Sequence, residues 1–231
     1  MQNTEISNKD LNKIEFRNEK KIIFIQSENY LINLFKYLKF KEIYEKRQIN
    51  SIYFETNNFT DLLDTIDGEK NRSKLRMRWY GKTFHNVTKP ILENKIKINN
   101  QNYKTKQSLN DLEFKNEIST KEIKKILNNI KILDDELQIK LKIRNPNVLI
   151  SYDRRYFMYK DIRITLDTNL KSKDFYKKKK ITEDEFLIKK KFLIVELKYK
   201  DKDFEDVKKI TSSFKNRVRK FSKYEHSLIG I

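Results

Sequence analysis

The hydrophobic pattern of the chain changes repeatedly between strand-like and helix-like spacing. The pattern from Glu19 to Ile25 predicts a strand, and helical spacing follows from Glu28 to Phe40. Alternation of apolar and polar residues predicts strands at Leu75–Tyr80, Ile91–Ile98 and Leu137–Arg144. Further strands are predicted at Ser51–Thr56, Val148–Tyr159, Arg163–Asp167 and Phe192–Tyr199. Since strands outnumber helices, the pattern predicts an α+β fold built on an antiparallel sheet.

Three further segments show helical spacing. Asn58 can cap a helix that ends near Gly68, and Ser119 can cap a second helix. A third helix is expected where Phe204, Val207 and Ile210 recur on one face.

Two segments lack any clear period. Residues 1–13 are polar and are expected to form a flexible N-terminus, and residues 168–190 are expected to be a surface excursion. The remaining residues 14–231 are expected to form a single domain, which is long enough to bury a core.

Charged residues lie on one face of each predicted strand. Arg76 and Arg78 share a face, and Leu75, Met77 and Trp79 occupy the opposite one. The same separation places Glu93 and Lys95, Lys140 and Arg144, Arg163 and Asp167, and Glu196 and Lys198 on ionic faces. Each strand therefore has one ionic face and one apolar face.

Two arrangements account for these faces. An ordinary half-solvated sheet would turn its polar residues outward. A closed barrel would turn its apolar faces outward onto helices, and its ionic faces would line a channel. The amphipathic helices need apolar partners, and arginine suits bidentate contact with phosphate, so both observations favour the barrel.

Composition indicates a polyanionic partner. The chain has 52 Lys and Arg against 33 Asp and Glu, a net charge of +19, which attracts polyanions from a distance. Charge alone does not separate nucleic acid, anionic lipid, nucleotide and polyphosphate. The three glycines are scattered, which excludes a glycine-rich phosphate loop, so side chains must bind any phosphate.

Cysteine and histidine usage restricts the possible chemistry. With no Cys, the chain has no disulfide, no thiol nucleophile and no thiolate metal site. His85 and His226 are far apart in sequence, which argues against a zinc site built on histidine. No apolar run of membrane-spanning length and no signal-peptide pattern occur, so a cytoplasmic protein is expected.

Three predicted strands carry Glu-x-Lys with both side chains on one face. The pairs are Glu19 and Lys21, Glu93 and Lys95, and Glu196 and Lys198. Carboxylates in such pairs can hold a divalent metal while the ammonium groups hold the phosphates that the metal bridges.

A series of short motifs follows along the chain. They are R-N-E-K-K at Arg17–Lys21, S-I-Y-F-E-T at Ser51–Thr56, K-L-R-M-R-W-Y at Lys74–Tyr80, L-E-N-K at Leu92–Lys95, Y-D-R at Tyr152–Arg154, R-I-T-L-D at Arg163–Asp167, V-E-L-K at Val195–Lys198 and S-K-Y at Ser222–Tyr224. In this order they resemble the VTC domain, the polyphosphate-polymerase branch of the triphosphate tunnel metalloenzymes in the CYTH-like superfamily. The resemblance covers the chain from about residue 14.

The resemblance implies an eight-stranded antiparallel barrel, a tunnel with a basic interior and amphipathic helices packed outside. It implies a phosphotransferase that binds ATP with Mn²⁺ or Mg²⁺ and extends inorganic polyphosphate. Glu196 would hold the metal, with Glu19 as a second ligand. The residues that would hold phosphates are Lys21, Arg76, Arg78, Lys95, Arg154, Arg163 and Lys223.

Two other functions stay open from the sequence. A tunnel triphosphatase would hydrolyse inorganic or nucleoside triphosphate with most of the same residues. Arg17 stands where that hydrolytic branch has a glutamate, which favours phosphate transfer. A non-catalytic polyanion binder is supported by charge and scattered aromatic residues alone, and no specific nucleic acid is expected.

Overall fold

A computed structural model describes residues 18–99, 101–132, 134–186 and 192–229. The expected flexible segment 1–13 and Arg17 lie outside the described residues. The described part of the chain contains twelve strands and six helices. The strands are β1 (Asn18–Phe24), β2 (Lys41–Glu55), β3 (Arg72–Tyr80), β4 (His85–Val87), β5 (Ile91–Ile98), β6 (Gln101–Ser108), β7 (Leu112–Phe114), β8 (Glu117–Ser119), β9 (Asn145–Tyr159), β10 (Ile162–Asp174), β11 (Lys180–Thr182) and β12 (Leu193–Tyr199). The helices are α1 (Glu28–Tyr37), α2 (Thr60–Asp67), α3 (Thr120–Asn128), α4 (Asp135–Lys142), α5 (Phe204–Ser213) and α6 (Lys223–Ile229).

Eight of the strands form one antiparallel sheet in the order β1-β12-β10-β9-β2-β3-β5-β6. The sheet curls into a half-barrel, with β1 and β6 as its two edges. The predicted α+β fold with an eight-stranded antiparallel sheet is therefore confirmed.

The apolar faces of the sheet pack against helices on its outer side. Trp79 of β3 lies in one buried cluster with Ile123 of α3. Leu197 of β12 lies in a second cluster with Phe35 of α1 and Val207 of α5. The prediction that helices cover the outside of the sheet is confirmed, which leaves the ionic strand faces on the concave side.

Of the two helix caps predicted from the sequence, Ser119 is confirmed and Asn58 is wrong, and Ser27 caps a further helix. Ser27 and Ser119 accept hydrogen bonds from backbone N–H groups in the first turns of α1 and α3. Asn58 does not cap α2; the buried carboxylate of Glu55 accepts the N–H groups of Asp61 and Leu62 instead. A carboxylate from the preceding strand thus stabilises the start of this helix.

One predicted strand is wrong. Leu137–Arg144 is not a strand, because Asp134 accepts the N–H of Leu137 and caps α4. Leu137 is buried, whereas Ile139 and Ile143 are each 59% exposed, so the alternating pattern does not reflect alternating burial. Lys140 and Arg144 accordingly do not line the sheet interior, and Arg144 pairs with Asp61 at 2.8 Å.

Strand β6 takes the place of the missing strand in the sheet. It pairs with β5 along its whole length, from Ile91 opposite Ser108 to Ile98 opposite Gln101. Its sequence is almost entirely polar, so hydrophobic alternation gives no signal for it. The expected surface excursion at 168–190 is also corrected in part, since it contains the end of β10 and the whole of β11.

The segment after α5 lies along the free edge of β1. Val218 forms a bridge with Ile22, and the N–H of Arg219 donates to the carbonyl of Lys21. The chain then enters the concave face as α6, where Tyr224 joins a buried cluster with Tyr53 and Ile150. Tyr224 therefore packs α6 against the concave face of the sheet. A membrane span would need a helix longer and more apolar than any in the described residues.

Candidate functional site

Charged side chains from both halves of the sheet meet on the concave face. Lys95 of β5 interacts electrostatically with Glu19 and Lys21 of β1 and with Glu196 of β12. These strands lie near opposite ends of the strand order, so only the curl of the sheet brings their side chains together. Burial lowers the pKa of Lys95 despite the two carboxylates.

Two carboxylates and two ammonium groups form the first part of this site. Lys21 lies 2.7 Å from Glu19, and Lys198 lies 2.9 Å from Glu196 and 3.4 Å from Glu19. Burial alone would raise the pKa of Glu196, but Lys198, Arg154 and Lys21 hold it well below its usual range. Glu196 is therefore an ionised carboxylate in a basic environment.

The second part of the site lies on β3 and β5. Arg76 donates to Glu93 from Nε at 2.8 Å and from Nη2 at 2.5 Å, and Nη1 donates to Tyr53 at 3.0 Å. Arg78 is more loosely placed, with Nη1 at 3.9 Å from Glu93. Burial would raise the pKa of Glu93, but Arg76 and Arg78 lower it to about 2.

The third part joins β9, β10 and α6. Asp167 accepts two hydrogen bonds from Arg154, at 2.5 and 2.7 Å, and Lys223 lies 2.5 Å from the same carboxylate. Arg154 and Lys223 also lie over the ring of Tyr152, at 5.2 and 4.6 Å from its centroid. Both cations are thus held in place by a carboxylate and an aromatic face.

Three consecutive residues at the end of the chain are anchored to three different strands. Ser222 accepts a hydrogen bond of 3.1 Å from Lys74 of β3. Lys223 pairs with Asp167 of β10, and Tyr224 donates to Glu55 of β2. The predicted S-K-Y motif therefore fixes the start of α6 inside the half-barrel.

Several buried donors on this face have no hydrogen-bond partner within the described residues. They include Arg78 Nε, Arg163 Nε and the hydroxyl of Thr165. Where β10 pairs with β12, Arg163 lies opposite Lys198, which forms an ion pair with Glu19. Thr165 lies opposite Glu196. Buried polar groups are nearly always hydrogen-bonded in folded proteins, so these donors suit an oxygen-rich ligand.

A cavity of about 410 Å³ opens beside this cluster, between β1, β3, β5 and the C-terminal segment. Its lining is mainly basic and includes Lys21, Arg72, Lys74, Lys95 and Lys220. Burial lowers the pKa of Lys74 to about 8, and repulsion from Lys95, Lys21 and Arg72 acts in the same direction. The cavity has the size and charge for a short chain of phosphates.

The residues present could hold a divalent metal only together with a ligand. Among the described residues, no three acidic or histidine side chains gather into a metal-binding group. Glu19 and Glu196 lie close enough to interact electrostatically, and the unpaired hydroxyl of Thr165 lies opposite Glu196. One or two carboxylates completed by phosphate oxygens and water is a set that Mg²⁺ commonly uses.

Every residue that the sequence predicts for phosphate or metal binding lies on the concave face. Sequence reasoning placed Lys198 on this face but did not assign Lys74 or Ser222 to the site. Lys74 could have been found, because it continues the alternation of Arg76 and Arg78 by one step toward the start of β3. Ser222 could not, since only the fold brings it to Lys74.

Comparison with known proteins agrees with this geometry. The model of the VTC domain matches residues 12–229. A Hippeastrum protein with a dominant triphosphatase activity has a similar structure, with 13% identity, a TM-score of 0.52, and coverage of 92% of this chain and 96% of that one. A Pyrococcus horikoshii protein has 14% identity, a TM-score of 0.51, and coverage of 94% and 100%. A candidate adenylate cyclase of Bacillus halodurans has 16% identity, a TM-score of 0.52, and coverage of 89% and 95%.

At these identities the solved structures show a common fold and nothing finer. No curated protein sequence matches the chain. The family model, in contrast, spans almost the whole chain and includes every predicted site residue. The chain therefore belongs to the VTC domain family and has the triphosphate tunnel fold.

Proposed function

We propose that the chain is a polyphosphate polymerase, which transfers the γ-phosphate of ATP onto a growing inorganic polyphosphate chain. The observation that carries the proposal is the convergence of basic residues from separate strands and from α6 on one concave face. Arg78 and Arg163 each keep a buried Nε without a hydrogen-bond partner in the described residues. Guanidinium groups with free donors are well suited to phosphate oxygens.

Phosphoryl transfer needs positioning and charge neutralisation more than covalent work by the protein. Lys21 and Lys95 line the cavity, and Arg78 from β3 and Lys223 from α6 would contact the bound triphosphate. The terminal oxygen of a phosphate chain would attack the γ-phosphorus in line, and the bond to the β-phosphate oxygen would break. Chain phosphates are already anionic at neutral pH, so the reaction requires no protein nucleophile and no general base.

Glu196, with Glu19 beside it, would hold a Mn²⁺ or Mg²⁺ ion against the phosphates. Such an ion neutralises the charge that develops on phosphate oxygens. Lys198 contacts both carboxylates and keeps them ionised and oriented. Their role is to bind and orient the ion.

A triphosphatase is the second candidate. The Hippeastrum protein of the same fold has a dominant triphosphatase activity. The cavity is also lined by exposed residues, among them Arg219 and Lys220, so water can approach bound phosphate from that side. Water in place of a phosphate chain as the attacking group would give hydrolysis with the same ligands.

The test is to incubate the protein with γ-labelled ATP and Mn²⁺ or Mg²⁺ and to separate the products on a gel. Long labelled chains support the polymerase, and labelled orthophosphate alone supports the triphosphatase. No turnover, with salt-sensitive binding of polyphosphate, would mean a polyanion binder.

Glu196→Gln is expected to abolish turnover, whereas Glu205→Gln, an exposed change on α5, is expected to leave it intact. The cytoplasmic location stays a prediction.

A further inference from the structure

A group of tyrosines lies at the end of the concave face away from α6. Tyr53, which stacks on Tyr224, lies near the C-terminal end of β2, whereas Tyr44 lies near its N-terminal end. Tyr44 is opposite Tyr156 of β9, and their ring centroids are 5.6 Å apart at an interplanar angle of 89°. Tyr80 at the end of β3 interacts electrostatically with Tyr156.

These rings are partly accessible to solvent. Tyr44 is 53% exposed and Tyr80 is 46% exposed, and Tyr156 is half-buried. Exposed aromatic side chains that gather at one place mark a binding surface more often than single ones do.

Arginine connects the tyrosines to the basic cluster. The guanidinium of Arg154, which pairs with Asp167, lies 6.0 Å from the ring centroid of Tyr156. Arg154 and Tyr156 are two residues apart on one strand face, a rise of about 7 Å. Arg47 lies over the ring of Tyr44 at 5.0 Å. The aromatic surface therefore begins where the phosphate-binding cations end.

Strand β2 is irregular at this place. Its pairing with β9 shifts register between Glu42 and Tyr44 and again between Tyr44 and Arg47. Bulges of this kind re-aim side chains and are frequent beside binding sites. Across the irregularity Tyr44 pairs with Tyr156, and Arg47 pairs with Arg154 of the same strand.

We propose that Tyr44 and Tyr156 form a stacking site for the base of a nucleoside triphosphate, an inference that rests on the proposed function. The base lies on the tyrosines, Arg154 is next to the first phosphates, and the phosphate chain runs toward the cavity lined by Lys74 and Lys220. Because every base has an aromatic face, this site binds purine and pyrimidine nucleotides without reading their edges.

The test compares two ligands that differ only in the presence of a nucleoside. Binding of a non-hydrolysable ATP analogue and of inorganic tripolyphosphate is measured by calorimetry for the full chain and for Tyr44→Ala. The variant is expected to bind the ATP analogue about fivefold or more weakly, and to bind tripolyphosphate as the parent does. Tyr37→Ala is the matched control, because Tyr37 is 82% exposed on α1, outside the sheet.

Two outcomes overturn the inference. Equal affinities of the parent and of Tyr44→Ala for the ATP analogue would place the base elsewhere, as would an equal loss for both ligands. Tyr156→Leu is a second variant, and it is also expected to weaken binding of the ATP analogue while it leaves binding of tripolyphosphate unchanged. If the parent binds neither ligand, the proposed function itself fails, so the two failures are distinguishable.

Discussion

Lys223 Nζ lies 2.5 Å from Asp167 Oδ2, so the first residue of α6 is tied to the middle of β10. The same carboxylate accepts two hydrogen bonds from Arg154. Burial would raise the pKa of Asp167, but Arg154 and Lys223 lower it. One ionised, buried carboxylate therefore positions two cations of the proposed phosphate site before any phosphate binds.

Lys223→Ala is expected to lower kcat/KM for ATP by about tenfold to a hundredfold, the range for one lost charge-assisted contact. The fold should persist, because Arg154 still neutralises Asp167 in the variant. Steady-state kinetics and thermal unfolding of the same preparation check both parts. Lys160→Ala is the control, since Lys160 forms an exposed pair with Asp206 on the outer side. Turnover equal to that of the parent would place Lys223 outside the site.

Arg76→Ala and Arg78→Ala are expected to differ in stability although both weaken phosphate binding. Arg76 is the main partner of the buried Glu93, so its loss should lower the free energy of unfolding by up to about 3 kcal/mol. Arg78 lies 3.9 Å from Glu93, and its loss should change stability by less than about 1 kcal/mol. Urea unfolding and tripolyphosphate titration measure the two effects. If Arg78→Ala lowered the free energy of unfolding as much as Arg76→Ala is expected to, both arginines would be structural ion-pair partners.

Lys74 is expected to make phosphate binding sensitive to alkaline pH. Its pKa of about 8 in the folded protein means that the ammonium loses its proton as the pH rises through 8. The dissociation constant for tripolyphosphate should therefore increase above pH 8, and Lys74→Met should show a weaker dependence between pH 7 and 9. A pH profile of the variant that parallels the parent would exclude Lys74 from the site.

The same pKa shift predicts that charged Lys74 favours phosphate binding but destabilises the fold. Its folded pKa lies below the unfolded value near 10.5, so protons bind more strongly to the unfolded chain, and Lys74 destabilises the fold below pH 8. Lys74→Met should then raise the free energy of unfolding at pH 7 by up to about 3 kcal/mol. This gain should disappear as the pH rises from 8 toward 10.5.

The sequence predicts the fold class and the site well where local pattern and spatial position coincide. Alternation along β3 places Arg76 and Arg78 on one face, and the structure puts that face inside the half-barrel. Pattern does not, however, distinguish the two arginines, because the partner Glu93 is brought to Arg76 by pairing between β3 and β5. The difference between a structural and a free arginine is therefore a tertiary property.

The errors have the same origin. Segment Leu137–Arg144 has strand-like alternation, but the cap formed by Asp134 and the packing of Leu137 against the sheet select a helix. Strand β6 is polar on both faces because it lies at an edge, with Lys104 and Lys106 exposed. A strand at the edge of a sheet can remain largely exposed to solvent. Its sequence then shows little of the hydrophobic alternation that predicts a strand.

Tyr224 is expected to act as a positioning residue for the end of the chain. It stacks on Tyr53 with ring centroids 4.9 Å apart, and it donates to the buried Glu55, which also caps α2. Tyr224→Phe keeps the stacking and leaves Glu55 with backbone donors, so it should cost about 1 kcal/mol. Tyr224→Ala removes a buried ring as well and should cost about 3 kcal/mol or more.

Measurements of activity distinguish the positioning role of Tyr224 from a contribution to stability alone. Tyr224 lies under Lys74, whose Nζ is 5.7 Å from the ring centroid, and it holds Ser222 and Lys223 beside Lys74 and Asp167. Tyr224→Ala should therefore lower kcat/KM at temperatures where the protein is fully folded, whereas Tyr224→Phe should leave it close to the parent value. Deletion of residues 213–231 should lower both stability and turnover, because it also removes the segment along β1. If folded Tyr224→Ala turns over ATP at the parent rate, the anchoring of Lys223 does not depend on this ring.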